Sequence, residues 1–148
     1  MNKFAKVLTL SLASVLTMSF VGCATVNPNR SNVFGVNNSN SEAVSEVITN
    51  YTLLNAPAAN TNILVIPDRT NSQVYNSVKA KLQSKGFAIV ESPVPENTLV
   101  TVLKYNVSPV ADNALSVVIN LAGVEAVGMA FRVNNEWKPF SSYTVRGQ

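Results

Sequence analysis

The sequence predicts an α+β fold: a single small domain in which a mixed sheet of five or six strands packs against two helices, mostly on one face. Apolar residues recur at helical spacing in two segments, near residues 41–54 and 72–85. A short apolar run lies on either side of the second segment. Beyond Pro95, apolar and polar residues alternate in four runs separated by short turns, which is typical of an antiparallel meander.

The first 22 residues have the pattern of a secretion signal. Lys3 and Lys6 form a basic start, and residues 7–22 are uncharged and largely apolar. This run is shorter than the roughly 20 residues that a spanning helix needs, and hydroxyl side chains interrupt it. We therefore predict that residues 1–22 are a signal peptide, which is removed from the mature chain.

Cys23 is the predicted site of lipid attachment. Phe20-Val21-Gly22-Cys23 resembles the lipobox of bacterial lipoproteins, and Cys23 is the only cysteine of the chain. A lone thiol has no disulfide partner within the chain, whereas a thioether to a diacylglycerol removes a reactive group from an oxidising compartment. The alternative is an ordinary signal peptide followed by an incidental cysteine.

The residue after Cys23 predicts the destination. Ala24 stands where an Asp would imply retention in the inner membrane, so the same resemblance implies the outer membrane, with the domain facing the periplasm. Several acyl chains such as palmitate, at about 0.8 kcal/mol for each buried methylene, would make this anchor effectively permanent.

Residues 23–40 are predicted to be a lipidated cysteine followed by a flexible tether, because Asn, Ser, Pro and Gly dominate them. The folded domain would then be residues 41–148. Val33, Phe34 and Val36 form a small apolar island within the tether. Two interpretations stay open: the island packs on its own domain, or it docks on a partner protein.

The first helix is predicted to begin at a capping box, in which Ser39 and Glu42 have the required spacing. Pro57 ends it, because the residue before a proline is disfavoured in a helix. The helix has one apolar stripe, which consists of Val44, Val47, Ile48, Tyr51 and Leu54.

A strand–helix–strand unit follows the first helix. Residues 63–66 are uniformly apolar, as in a strand that is buried on both faces. The helix is predicted from Ser72 to Lys85, with Gly86 as its C-cap, and residues 87–90 form the next strand. Within one sheet these two strands would be parallel. The buried stripe of this helix consists of Val74, Tyr75, Val78 and Leu82.

The meander is predicted to contain strands over residues 99–107, 115–121, 125–133 and 137–145. Gly123 and Gly128 are interpreted as turn and close-packing positions. Trp137 and Phe140, on the last strand, have two interpretations: an aromatic surface that binds a partner, or, for Trp137, a side chain that closes one end of the core.

Several function classes are disfavoured by the residues present. The chain has no histidine, and therefore no Ser-His-Asp triad or imidazole metal ligand. It contains no glycine-rich phosphate-binding loop. Glu91 and Glu96 share one loop, but two acids beside prolines are more often solvated than catalytic. We expect no enzyme activity, no cofactor and no metal site.

The charge of the mature chain argues against nucleic-acid binding. Removal of Lys3 and Lys6 from the eleven basic residues leaves nine against eight acidic ones, without a basic cluster.

The order of elements resembles the TrbH family of conjugal transfer lipoproteins. The matching stretches are SEAVSEVITNYTLL, NILVIPD, NSQVYNSVKAKLQSKGFAIVES, and the meander with VGMAFRV followed by FSSYTVRGQ. Gly86-Phe87 and Arg146-Gly147 correspond to the family's step into the second strand and its basic carboxyl end. The resemblance implies a structural part of the mating-pair apparatus of a type IV secretion system, docked on other channel subunits.

A second class of function stays open beside this one: a stand-alone envelope lipoprotein that binds a small ligand or a cell-wall component. A lipoprotein enzyme that acts on peptidoglycan is disfavoured by the missing histidine and the absence of a placed carboxylate pair.

Overall fold

The computed structural model describes residues 30–146. Helix α1 spans Ser41–Asn55, a 3-10 turn spans Ala58–Asn60, and helix α2 spans Ser72–Ser84. The strands are β1 (Asn32–Val33), β2 (Asn62–Val65), β3 (Ala88–Ile89), β4 (Thr101–Ala111), β5 (Ala114–Leu121), β6 (Val124–Val133) and β7 (Glu136–Val145).

All of these strands belong to one mixed sheet with the order β3-β2-β4-β5-β6-β7. On one side of β4, β2 pairs with its first half and β1 with its second half, both in parallel. From β4 to β7 the strands are antiparallel neighbours in chain order. The predicted α+β class, with a mixed sheet and two helices, is confirmed, and the two-residue strand β1 brings the described strands to seven.

The core lies between the helices and one face of the sheet. Helix α1 packs against β5, β6, β7 and α2, whereas α2 packs against α1 and β3. The buried helical residues and alternate residues of the strands form a single apolar cluster. Its largest fully buried side chains are Tyr105, Ile48, Ile63, Leu82, Leu103 and Ile119. Burial of such side chains contributes about 1.5–3 kcal/mol each and dominates the stability of the fold.

The strand–helix–strand unit agrees with the sequence pattern. Val74, Val78 and Leu82 of α2 are buried. The side chain of Asn71 caps the helix by accepting hydrogen bonds from the backbone amides of Gln73 and Val74. Gly86, with φ of +91°, turns the chain after the helix. β2 and β3 are parallel as predicted, but only alternate residues of β2 are fully buried.

The meander turns also agree with the sequence. Asn134 and Asn135 both have positive φ, as the tight turn between β6 and β7 requires. Gly128 is a close-packing position: a Cβ built on it would lie 2.6 Å from Val47 Cγ1 and 2.8 Å from Tyr143 Cε1. Only a residue without a side chain therefore allows α1 to approach β6 here.

The predicted tether is wrong over residues 31–40, which are part of the domain. Ser31 is 1% exposed, and its hydroxyl donates to Ile66 O at 2.6 Å and accepts from Tyr105 N at 3.2 Å. This hydroxyl joins β2 to β4 at the point where β2 leaves the sheet and β1 begins. Residues 23–29, including Cys23, and the predicted signal peptide lie outside the described residues.

The predicted start and end of α1 need correction. Asn40 rather than Ser39 precedes the helix, and it makes no side-chain cap; its Oδ1 accepts instead from the Asn37 amide at 2.8 Å. Leu54 is 72% exposed, although it continues the apolar stripe in sequence. The last turn of α1 lies beside the outermost strand, where no further element of the described chain covers it.

Candidate docking surfaces

The structure does not bring the predicted docking residues together. Val33 is buried at 6% exposure and belongs to the core, so its assignment to a docking surface is wrong. Val36 and Trp137 are partly buried against that core. Phe34 and Phe140 are exposed, but they lie at opposite sides of the sheet, near β4 and on β7.

Trp137 and Phe140 occupy opposite faces of β7. Trp137 pairs with Arg132 and packs toward the helices, whereas Phe140 pairs with Met129 on the face that the helices leave uncovered. There Phe140 meets Phe131 edge to face, with ring centroids 5.8 Å apart. The interpretation that Trp137 closes the core agrees with its position, and Phe140 contributes to a separate aromatic patch.

A polar cleft of about 440 Å³ lies at the end of the sheet beside Trp137. It brings together the segment before α1, the β4–β5 turn and the β6–β7 hairpin. Its side chains combine an indole ring with amides and opposite charges, from Asn37, Asn40, Asp112, Arg132 and Trp137. Such a mixture of one aromatic and several polar groups suits a polar ligand.

An apolar groove of about 310 Å³ runs between α1 and the outermost strand. We name it the β7 groove; its lining residues are Asn50, Leu53, Leu54, Ser141 and Tyr143. β7 pairs only with β6 within the described residues, so one side of its backbone faces the groove and solvent. An exposed strand edge beside apolar side chains is the arrangement that accepts an added strand.

Contacts in the core fix the position of the β7 groove. The Tyr143 hydroxyl donates to Val47 O at 2.9 Å, and its ring lies 5.1 Å from that of Tyr51. Burial raises the pKa of Tyr143, so this hydroxyl keeps its proton as donor. The pairing of β7 with β6 shifts by two residues around Gly128, which sets Ser141 and Tyr143 beside α1.

The sequence does not predict the β7 groove, because it places Leu54 in the apolar stripe of the first helix and gives Leu53 no role. Adjacency of two apolar residues on a helix does not indicate exposure: Val47 and Ile48 are also adjacent in α1, and both are fully buried. The exposure of Leu53 and Leu54 depends on where the sheet ends, and a local pattern does not contain that information.

Among residues 30–146, several ionisable side chains form ion pairs at the surface. Glu91 pairs with Lys79 on α2, and this hydrogen bond lowers the pKa of Glu91 and raises that of Lys79. Glu96 makes no ion pair within the described residues. Among residues 30–146, no group of three or more acidic, Cys or His side chains has the arrangement of a metal site.

Two buried hydroxyls, of Tyr105 and Thr49, make no hydrogen bond to the described part of the chain. Burial raises the pKa of Tyr105, which keeps its phenol neutral. Electrostatic interactions with Asp68 and Tyr75 raise this pKa further.

Neither helix within residues 30–146 has the length and apolar character to cross a membrane. Comparison of the chain with protein-family models, with curated proteins and with solved structures finds no match. The described residues form a small α+β domain whose sheet has an open edge at β7.

Proposed function

We propose that the protein is an outer-membrane lipoprotein, facing the periplasm, that serves as a structural component of a conjugation or type IV secretion apparatus. Cys23 carries the lipid, and the domain binds a neighbouring channel subunit. The observation that carries the protein-binding part is the β7 groove, where an exposed strand edge lies beside Leu53 and Leu54.

The groove suits an extended protein segment better than a compact ligand. A segment that pairs with β7 would satisfy the outward backbone groups of this strand, while its alternate side chains would reach Leu53 and Leu54. Leu54 is 72% exposed, and burial of a leucine side chain contributes about 1.5–3 kcal/mol. Ser141 and Asn50 supply hydrogen-bonding groups at the rim.

A structural role also fits the chemistry that the sequence offers. The whole chain has no histidine, and its only cysteine is the predicted lipid acceptor. The lipobox, the Ala24 position and the resemblance of element order to conjugal transfer lipoproteins support the envelope location and the assembly. The expected absence of enzyme activity is part of the proposal.

The test is purification of the tagged, lipidated protein from its own membranes in mild detergent, with identification of the co-purified proteins by mass spectrometry. Recovery of secretion-channel subunits in a large complex is expected. The double substitution Leu53→Ser and Leu54→Ser should release them. Leu99→Ser is the matched control, because Leu99 is 90% exposed but does not line the groove.

Recovery of the protein alone, at monomer size, would contradict the assembly role. Retention of the same partners by the double variant would contradict the assignment of the groove while leaving the assembly role in place.

The cleft beside Trp137 favours a second candidate function, recognition of a cell-wall component or another small polar ligand. Its indole ring, amides, Asp112 and Arg132 surround one volume of about 440 Å³. Titration with purified peptidoglycan fragments would test it, with Arg132→Ala as the variant that should lose binding. Equal heats of binding for both proteins, or none for either, would exclude the cleft as the site.

A further inference from the structure

We propose that the side of the domain around β1 lies on the phospholipid bilayer, with Phe34 at the bilayer interface and the β7 groove directed away from it. This inference rests on the proposed lipid anchor at Cys23. It deepens the proposed function, since it assigns one side of the domain to the membrane and the other to the protein partner.

The first step is the short distance along the chain between the anchor and the fold. Ser31 is locked between β2 and β4 by its two hydrogen bonds, and Arg30 is the first described residue. Only seven residue steps separate Cys23 from Arg30. At about 3.3–3.6 Å a step, the lipid lies within roughly 25 Å of this side of the sheet.

The second step is the chemistry of the surface around Arg30, where the described part of the chain begins. We name it the β1 surface; it consists of Arg30, Phe34, Arg69 and Val110. Phe34 is 46% exposed and Val110 is 56% exposed. The chain that carries Phe34 lies against the end of β4: Phe34 N donates to Val107 O at 2.9 Å, and Gly35 packs on Pro109.

The two arginines of the β1 surface flank a pairing between distant parts of the chain. Ser31 forms a β-bridge with Asp68. Arg30 directly precedes Ser31, and Arg69 directly follows Asp68. Both are exposed, and neither makes an ion pair within the described residues. Exposed arginines at the start of β1, with Phe34 just after its end and Val110 on β4, match the headgroup region of a bilayer, where basic residues are attracted to anionic lipids.

The third step is the position of the β7 groove relative to this surface. β1 lies beside β4, and β5, β6 and β7 follow on the other side of β4. Four strand spacings of about 4.8 Å therefore separate β1 from β7, roughly 19 Å across the sheet. A bilayer in contact with the β1 surface leaves the β7 groove open to a partner in the periplasm.

The experiment uses the lipidated mature protein in phosphatidylcholine vesicles that contain phosphatidylglycerol and bromine-labelled acyl chains, which quench nearby indoles. Trp137 is the only tryptophan of the chain, so Trp137→Phe supplies a silent background. Phe34→Trp then reports on the β1 surface. Leu54→Trp is the matched control in the β7 groove, because it too replaces a well-exposed apolar side chain.

The expected result for Phe34→Trp is blue-shifted emission and strong quenching. The emission of Leu54→Trp should be the same in vesicles with and without bromine-labelled acyl chains. Unquenched emission from both variants would overturn the orientation, as would equal quenching of both. Intact mass separates the two proposals. Acylated protein without quenching refutes only this inference, whereas protein without acyl chains refutes the anchor and the inference together. Equal melting temperatures of the variants verify that each is folded.

Discussion

The two sides of the sheet differ in the length of strand edge that they leave unpaired. On the side of β4, the edge is divided between β2 and β1, and the Ser31 hydroxyl joins them through Ile66 and Tyr105. On the other side, β7 runs for ten residues with a single neighbour. The outer strands of the first side, β1 and β3, are only two residues long, whereas β7 offers the longer edge to another chain.

On the β1 side, polar side chains hold the amino-terminal segment against the sheet. The side-chain amides of Asn32 and Asn106 hydrogen-bond at 2.8 Å, and Thr70 Oγ1 donates to Val33 O at 3.3 Å. The second of these bonds satisfies a backbone carbonyl of this segment. β7 lacks any equivalent cover among the described residues, and Pro139 is the one residue in it that lacks a backbone donor.

Loss of the lipid anchor should have the largest effect, because the proposed anchor holds the β1 side of the domain at the membrane. Cys23→Ser removes the sole lipid acceptor, so we expect complete loss of acyl labelling and release of the protein from the membrane fraction. Metabolic labelling with a fatty-acid analogue measures this. Acyl label that persists in the variant would contradict the lipoprotein assignment.

Substitution of two neighbouring residues, Val33 at the end of β1 and Phe34 directly after it, should distinguish a core position from a surface position. Val33→Ser places a hydroxyl in the core and removes a buried side chain, so we expect a loss of about 3 kcal/mol in the free energy of unfolding. Phe34→Ser should change it by less than about 0.5 kcal/mol. Denaturant unfolding monitored by circular dichroism measures both, and similar losses would show that Phe34 belongs to the core as well.

Gly128→Ala should affect the opposite side by pushing α1 and β7 apart. The added Cβ would lie within 3 Å of Val47 and Tyr143, so we expect a loss of about 2 kcal/mol in stability. Gly123→Asn is the control, since Gly123 has free space around it and a positive φ that Asn tolerates better than other side chains. If the two variants were equally stable, the close packing at Gly128 would be refuted.

The smallest effect should come from the ion pair between Lys79 and Glu91. The pKa of Glu91 is lowered from its ordinary value of about 4.5 by Lys79. Its contribution to stability is therefore present above that value and is lost as the pH falls through the lowered pKa. Glu91→Gln should remove this part of the acid dependence, in a measurement of melting temperature between neutral and acidic pH. An unchanged acid dependence would mean that the pair contributes nothing.

Local sequence patterns predicted much of the fold. The stripe of Val74, Val78 and Leu82, the turn at Gly86 and the hairpin at Asn134-Asn135 all depend on residues within a few positions of each other. Alternation in β5 likewise follows from its own residues, because one face is buried and the other is not.

The rest of the fold depends on pairings between residues far apart in the sequence, which local composition does not predict. β1 exists because Asn32 and Val33 meet Asn106 and Val107, which lie 74 residues further along the chain. An Asn-rich segment lacks periodicity, so nothing within it predicted this pairing. The exposure of Leu54 similarly depends on where the sheet ends, and a helical stripe carries no information about the width of the sheet that it covers.

The orientation of β6 is another feature that the sequence pattern does not predict. Small residues, Ala126, Gly128 and Ala130, face α1, whereas Val127, Met129 and Phe131 lie on the uncovered face. Alternation along the strand separates these two sets, but it does not show which of them faces the helices. The close approach of α1 decides this, and it requires the small residues.

Site-specific photo-crosslinking in the native membrane tests the division between the two sides most directly. A photoreactive amino acid is placed at position 34 in one variant and at position 54 in another, and the adducts are identified by mass. We predict that position 54 captures a secretion-channel subunit and that position 34 captures phospholipid. Capture of the same protein at position 34, with no protein adduct at position 54, would contradict the account.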